Sequence, residues 1–157
     1  MVIADLFSAP DGILSLAPAN KAELLAMLAA EAASRLGRAK EDILQPLLAR
    51  EKLGSTALGR GVALPHSRLD WLQEPLAILV RLTRPIDFEA RDDELVDLVF
   101  LVLWPESEPE GFLPALAGIC RALRDDQLPR QLRRAGSSAE ALARLQEADR
   151  LDPDAQP

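Results

Sequence analysis

The chain contains one cysteine, one histidine and no tyrosine, and aromatic residues make up only 4% of its 157 positions. A single cysteine, Cys120, excludes an internal disulfide, and with a single histidine it leaves too few of the usual ligands for a tetrahedral zinc site. The scarcity of aromatics leaves Leu, Val, Ile and Ala to fill the interior. Basic residues are also in deficit: 18 Lys and Arg against 25 Asp and Glu give a formal charge of −7. That balance argues against nucleic-acid binding, which needs a net basic face. No apolar run is long enough to span a bilayer, since the longest stretch of bulky apolar residues, Leu98–Trp104, has only strand length. The first residues, Met1–Phe7, carry an acid where a secretory leader carries basic residues. A soluble cytoplasmic protein without membrane insertion is the expectation.

Apolar residues at 48% and charged residues at 27% fit an ordinary globular chain of one domain. An edge strand is expected over Ile13–Leu16, bounded by Gly12 and Pro18. Asn20 and Glu23 form a capping pair. Leu25, Leu28, Ala29, Ala32 and Leu36 then recur at helical spacing up to Gly37, which predicts a helix near 20–36. A second helix carries Ile43, Leu44, Leu47 and Leu48 past Pro46, where a kink is expected, and stops at Gly54. Val62–Leu64 reads as a short strand that presents Pro65 and His66 at its end. Leu76–Leu82 reads as a buried strand, and Pro85–Phe88 as a turn or short edge strand. Val96–Trp104, nearly continuous in apolar residues, reads as a central strand covered on both faces. Helices follow over about 112–123 and Gln127–Arg134. A last helix, capped by Ser137 and Glu140, runs to about Ala148. The pattern predicts an α/β fold: a mixed, mostly buried sheet of about five strands flanked by helices. Residues 1–150 form the domain and 151–157 a frayed, flexible tail.

The chemistry concentrates in Gly54–Leu69, which holds the sole histidine together with three glycines, Ser55, Thr56, Ser67, Arg60 and Arg68, just after Arg50. Glycines let backbone N–H groups approach an anion, hydroxyl and guanidinium groups add donors, and a neutral imidazole carries a lone pair that can attack phosphorus. The residues also admit a plainer account. His66 can be a hydrogen-bonded structural histidine, the arginines solvated surface charge, and Ser55 and Thr56 braces of the turn. Arg60-Gly61 stands where a P-loop carries Lys-Ser/Thr, which excludes nucleotide binding of that kind, and Gly59-x-Gly61 is too short for a dinucleotide fingerprint. Neighbouring strand residues face opposite ways, so Ser67 and His66 make a poor hydrolytic pair.

Arg50-Glu-Lys-Leu-Gly-Ser-Thr56, Gly59-x-Gly-Val-Ala-Leu-Pro-His66 and Pro85-Ile-Asp-Phe88 before an apolar strand resemble the fructose/mannitol/nitrogen-type enzyme IIA of the bacterial phosphoenolpyruvate-dependent phosphotransferase system. The likeness runs in order from about Lys21 to Leu145 and is strongest to the nitrogen-regulatory branch. It implies the mannitol-type enzyme IIA fold, with His66 as phosphoacceptor and Arg50 as the active-site arginine. Ser55, Thr56, Gly61 and Ser67 are the candidate phosphate-binding positions, and no metal or cofactor is expected. The implied partners are an HPr-like phosphohistidine carrier protein and a regulated target protein. No IIB domain or permease accompanies the motif, so regulation is expected in place of sugar transport. In two respects the sequence departs from the family. Phe112-Leu-Pro-Ala-Leu116 stands where the family places a second histidine, and Ser67 stands where the nitrogen type commonly has glycine. The alternatives are a docking module that keeps the fold without being phosphorylated, and a glycine loop that binds a small anion by itself.

Overall fold

The computed structural model describes residues 3–7 and 13–155. In chain order the elements are α1 (Ile3–Leu6), β1 (Ile13–Leu16), α2 (Lys21–Leu36), α3 (Glu41–Lys52), β2 (Ala57–Gly59), β3 (Val62–Ala63), β4 (His66–Leu69), β5 (Leu76–Ile86), β6 (Val96–Pro105), α4 (Phe112–Ala122), α5 (Gln127–Arg134) and α6 (Ser138–Leu151). One 3-10 turn, Pro109–Gly111, precedes α4, and another, Pro153–Ala155, follows α6.

The expected caps close the long helices. The Asn20 side chain accepts the Glu23 N–H at the start of α2, and Gly37, with φ of 65°, takes the left-handed turn that ends it. At the start of α6 the Ser137 hydroxyl accepts the Glu140 N–H, while the Glu140 carboxylate accepts the N–H of Gly136. α3 runs unbroken through Pro46. α6 extends three residues beyond the expected Ala148, and Asp152 just after it pairs with Arg121 of α4 at 3.0 Å. The final two residues lie outside the described ones.

Six strands form one mixed sheet among the described residues, in the order β1-β5-β6-β3-β2, with β4 also on β6. β5 and β6 are antiparallel at the centre, with Leu79 opposite Phe100. β1 lies parallel along the outer edge of β5, Ile13 opposite Leu79. Along the other side of β6, Val62 of β3 faces Leu98 and His66 of β4 faces Val102. The two short strands therefore hold one register, a single line interrupted at Leu64-Pro65, where proline has no N–H to donate. The Pro65 carbonyl still accepts the Val102 N–H at 3.0 Å.

Both faces of the sheet are covered. Val99, Leu101 and Leu103 of β6 pack with Leu24, Leu28, Ile43 and Leu47 of α2 and α3. Leu98, Phe100, Val102 and Trp104 pack with Ile3, Ala115, Ile119, Leu132 and Leu145 on the opposite side. This is why β6 reads as an uninterrupted apolar run: its alternate side chains enter two separate cores.

Three expectations about strands change. The sheet has six strands where about five were expected, because Ala57–Gly59 inside the glycine-rich stretch pairs antiparallel with β3. His66 opens its own strand instead of ending that of Val62–Leu64. β5 continues past Leu82 to Ile86 through a shift of register between Arg81 and Ile86, which accommodates Pro85 where the ladder is already interrupted.

Candidate functional site

Three local features build the site. α3 ends at Lys52, so its last turn points Arg50 toward the start of β4. The interruption at Pro65 turns the chain so that the His66 ring folds back on its own backbone. β6 ends at Pro105, which brings the first residue of α4, Phe112, over the same spot.

The His66 Nδ1 lies 2.7 Å from the Leu64 carbonyl, and Arg50 Nε donates to His66 Nε2 at 3.3 Å. A carbonyl only accepts and a guanidinium only donates, so both contacts select one neutral tautomer: proton on Nδ1, lone pair on Nε2. Burial lowers the imidazole pKa below its usual value. The Leu64 carbonyl and Glu51 pull upward, and the Arg50 cation adds to the lowering. The ring is thus held neutral with its Nε2 lone pair on the Arg50 side.

His66 lines an open cleft of about 680 Å³ together with Arg50, Ser67, Arg68, Glu106 and Phe112. Its lips are two exposed leucines, Leu53 at 84% and Leu113 at 70% exposure. Large apolar side chains this open beside a polar centre fit a surface that other proteins cover.

Arg50 and Ser67 of the expected set meet His66 here; the Ser67 hydroxyl donates to the Arg68 carbonyl at 3.3 Å. Ser55, Thr56 and Gly61, also expected to bind phosphate, do not line this cleft. Ser55 Oγ donates to the Phe88 carbonyl at 2.8 Å and accepts the Ala57 N–H, and Thr56 is buried with its hydroxyl on Glu51. Their hydroxyls brace the loop. Gly61 is five residues before His66, roughly 16 Å of extended chain away. There it has φ of +82°, and a Cβ would come within 2.7 Å of Arg133 Nη2. Glycine is needed at that point for a scaffold reason. Arg60 also lies elsewhere, bonded to Asp126 and to the Leu123 and Arg124 carbonyls.

Two contributors escaped the sequence. The Leu64 carbonyl that orients His66 is a backbone atom, invisible in residue types. Glu51 accepts the Thr56 N–H at 3.1 Å and pairs with Lys21 at 3.0 Å, fixing the helix end that carries Arg50. Its only trace in the sequence is its place next to Arg50. No group of three or more His, Cys, Asp or Glu that could hold a metal ion occurs among the described residues.

The model of the family described as "Phosphoenolpyruvate-dependent sugar phosphotransferase system, EIIA 2" matches residues 9–148. The chain belongs to this EIIA family. A nitrogen regulatory protein of Bradyrhizobium diazoefficiens is 46% identical over 143 residues, covering 90% of this chain and 92% of that protein. One from Pseudomonas aeruginosa is 42% identical over 105 residues, 67% of this chain and 68% of its own. Among solved structures, the nitrogen regulatory protein IIA-Ntr of Neisseria meningitidis superposes with a TM-score of 0.85 at 28% identity, covering 92% of this chain and 99% of that one. IIA mannitol of Escherichia coli shares the fold at a TM-score of 0.72 and 23% identity, over 87% and 97% of the two chains. The resemblance drawn from the Arg50–Thr56 and Gly59–His66 motifs holds, and this is an EIIA chain of the nitrogen-regulatory kind.

Within this EIIA chain the departure at Phe112 lies at the site itself. The Phe112 ring centroid is 5.8 Å from that of His66, tilted by 58°, and 6.1 Å from that of Trp104. The guanidinium carbon of Arg68 is 5.8 Å from the same phenyl ring. No described helix is long and apolar enough to cross a membrane.

Proposed function

We propose that this protein accepts a phosphoryl group on His66 from an HPr-like phosphohistidine carrier in the cytoplasm and signals by phosphorylation-dependent protein binding. The observation that carries the reading is the imidazole tautomer: Nδ1 donates to the Leu64 carbonyl, so the Nε2 lone pair is the nucleophile. Nε2 attacks the carrier's phosphorus in line. The new N–P bond forms as the carrier's N–P bond breaks, and the electron pair returns to the carrier's imidazole. The His66 proton stays on Nδ1, where the Leu64 carbonyl stabilises the positive charge that the ring acquires. Arg50 Nε loses its lone-pair acceptor in this step and turns its N–H groups to the phosphoryl oxygens. Neither metal nor nucleotide takes part.

Leu53 and Leu113 on the lips of the cleft supply an apolar contact for the carrier, and later for a target protein. Placing a group of about two negative charges between them changes which partner fits. The nitrogen regulatory name of the relatives supports regulation as the output.

A second reading is favoured by Phe112, which offers neither proton nor hydrogen bond beside His66: a docking module that retains the fold and is not phosphorylated. Intact-protein mass after incubation with phosphoenolpyruvate, enzyme I and the carrier separates the two. The expected result is one acid-labile phosphoryl group on the wild type and none on His66→Ala. An unmodified wild type in the presence of phosphorylated carrier rejects transfer in favour of docking.

A further inference from the structure

We infer that Arg68 is a second clamp for the phosphoryl group, carried on the Phe112 ring and closing on the phosphoryl oxygens from a different element than Arg50. The inference rests on His66 as the phosphorylated residue and assigns a role that the transfer reading leaves open.

Arg68 stands two residues after His66 in β4, so the strand repeat sends both side chains to one face about 7 Å apart. Phe112 touches both. Its ring centroid is 5.8 Å from the His66 ring and 5.8 Å from the Arg68 guanidinium carbon, so one phenyl group bridges the acceptor and a cation. Arg68 is exposed and lines the His66 cleft. It has no carboxylate within ion-pair distance among the described residues, although Glu106 lines the same cleft. A cation held on an aromatic face with its N–H groups unclaimed is poised for an anion.

Charge gives the reason for a second clamp. The fork of Arg50 is partly committed, since Nη1 donates to the Gly54 carbonyl at 3.0 Å. Three phosphoryl oxygens carrying about two charges offer more lone pairs than the remaining N–H groups of Arg50 can fill. On the side of His66 turned to Phe112, the phenyl ring supplies no donor. Arg68 brings five N–H donors to that side, and the phenyl ring limits its range of positions.

The test uses protein whose His66 is phosphorylated chemically with phosphoramidate, so that it does not depend on a carrier. Proton–nitrogen spectra of the arginine side chains are recorded before and after loading. The Arg68 Nε–H signal is expected to sharpen and shift on phosphorylation, and the shift is expected to weaken in Phe112→Leu. Separately, the phosphoryl group is allowed to equilibrate with the carrier. Arg68→Ala is expected to reduce the phosphorylated fraction ratio about tenfold, the scale of one charge-assisted hydrogen bond. Arg68→Lys is expected to recover part of it, since lysine restores charge without the fork. An Arg68 signal that stays put on loading, or an equilibrium unchanged by Arg68→Ala, overturns the clamp. Failure of the carrier to exchange, with the signal shifted in loaded protein, overturns the carrier reading and leaves the clamp standing.

Discussion

Arg50 Nε and His66 Nε2 meet at 3.3 Å, which joins the last turn of α3 to the first residue of β4. The bond marks the unprotonated ring nitrogen and at the same time occupies its lone pair. Under the proposed function, phosphoryl transfer requires Arg50 to exchange this acceptor for the phosphoryl oxygens.

The sole histidine gives a single imidazole signal, so its titration can be read without assignment. Burial and Arg50 hold its pKa below the usual 6.5, and the midpoint should fall below that value. Removing the cation in Arg50→Met should move it upward. The sign for stability follows. The unfolded chain takes up a proton near pH 6.5 while the folded one does not. Stability should therefore fall as pH drops from there toward the folded midpoint, and His66 stays neutral over the same window. A wild-type midpoint at or above 6.5 would contradict the geometry.

Glu51 unites Lys21 and Thr56, and all three are largely shielded from water. Glu51→Ala leaves the Lys21 ammonium without its closest carboxylate and should cost about 3 kcal/mol, measured by urea unfolding. The carboxylate raises the His66 pKa, so in whatever fraction remains folded the histidine midpoint should drop further. A midpoint that rises would show that Glu51 does not act on the ring.

Gly61→Ala separates scaffold from chemistry. A φ of +82° and a Cβ at 2.7 Å from Arg133 Nη2 should cost about 1–3 kcal/mol and lower the melting temperature. The extent of phosphorylation at His66 should be unchanged below that temperature. Loss of phosphorylation in the folded variant would return Gly61 to the site.

Asp149 is buried in α6, and its two oxygens accept the N–H groups of Ile3 and Ala4 at 3.0 and 2.8 Å. Asp149→Ala leaves both donors unpaired and should cost about 1–3 kcal/mol. Faster hydrogen exchange in α1 is the accompanying sign, and unchanged exchange there would refute the part of Asp149 in holding α1. Burial holds this carboxyl above its usual 3.8. The folded state thus keeps its proton to higher pH than the unfolded one, and the contribution of the group to stability declines as pH rises from about 3.8 through the folded midpoint.

Residue pattern alone made most of the fold legible. Asn20, Gly37, Ser137 and Glu140 act within one turn of themselves, so their caps could be read locally. The two-sided burial of β6 was written in its unbroken apolar run. The strand β2 was hidden because Ala57–Gly59 pairs with β3 through its backbone, and glycine-rich composition masks such pairing. β5 was cut short at Leu82 because Pro85 reads as a stop. The shift in register that tolerates it depends on β6 lying alongside.

At the site, sequence by itself singled out the candidate group and its neighbour: one histidine, with an arginine at a helix end sixteen residues before it. Chemistry of that kind follows from residue type. Only the tertiary structure decided which nitrogen is unprotonated, because a backbone carbonyl at Leu64 fixes the tautomer. Only it committed the Ser55 and Thr56 hydroxyls to the loop and put Phe112 and Arg68 in the cleft of His66. Closeness along the chain places Gly61 five residues from His66, but an extended strand converts those residues into distance. Phe112 is 46 positions away, yet β6 running parallel to β4 returns the chain to the same end of the sheet.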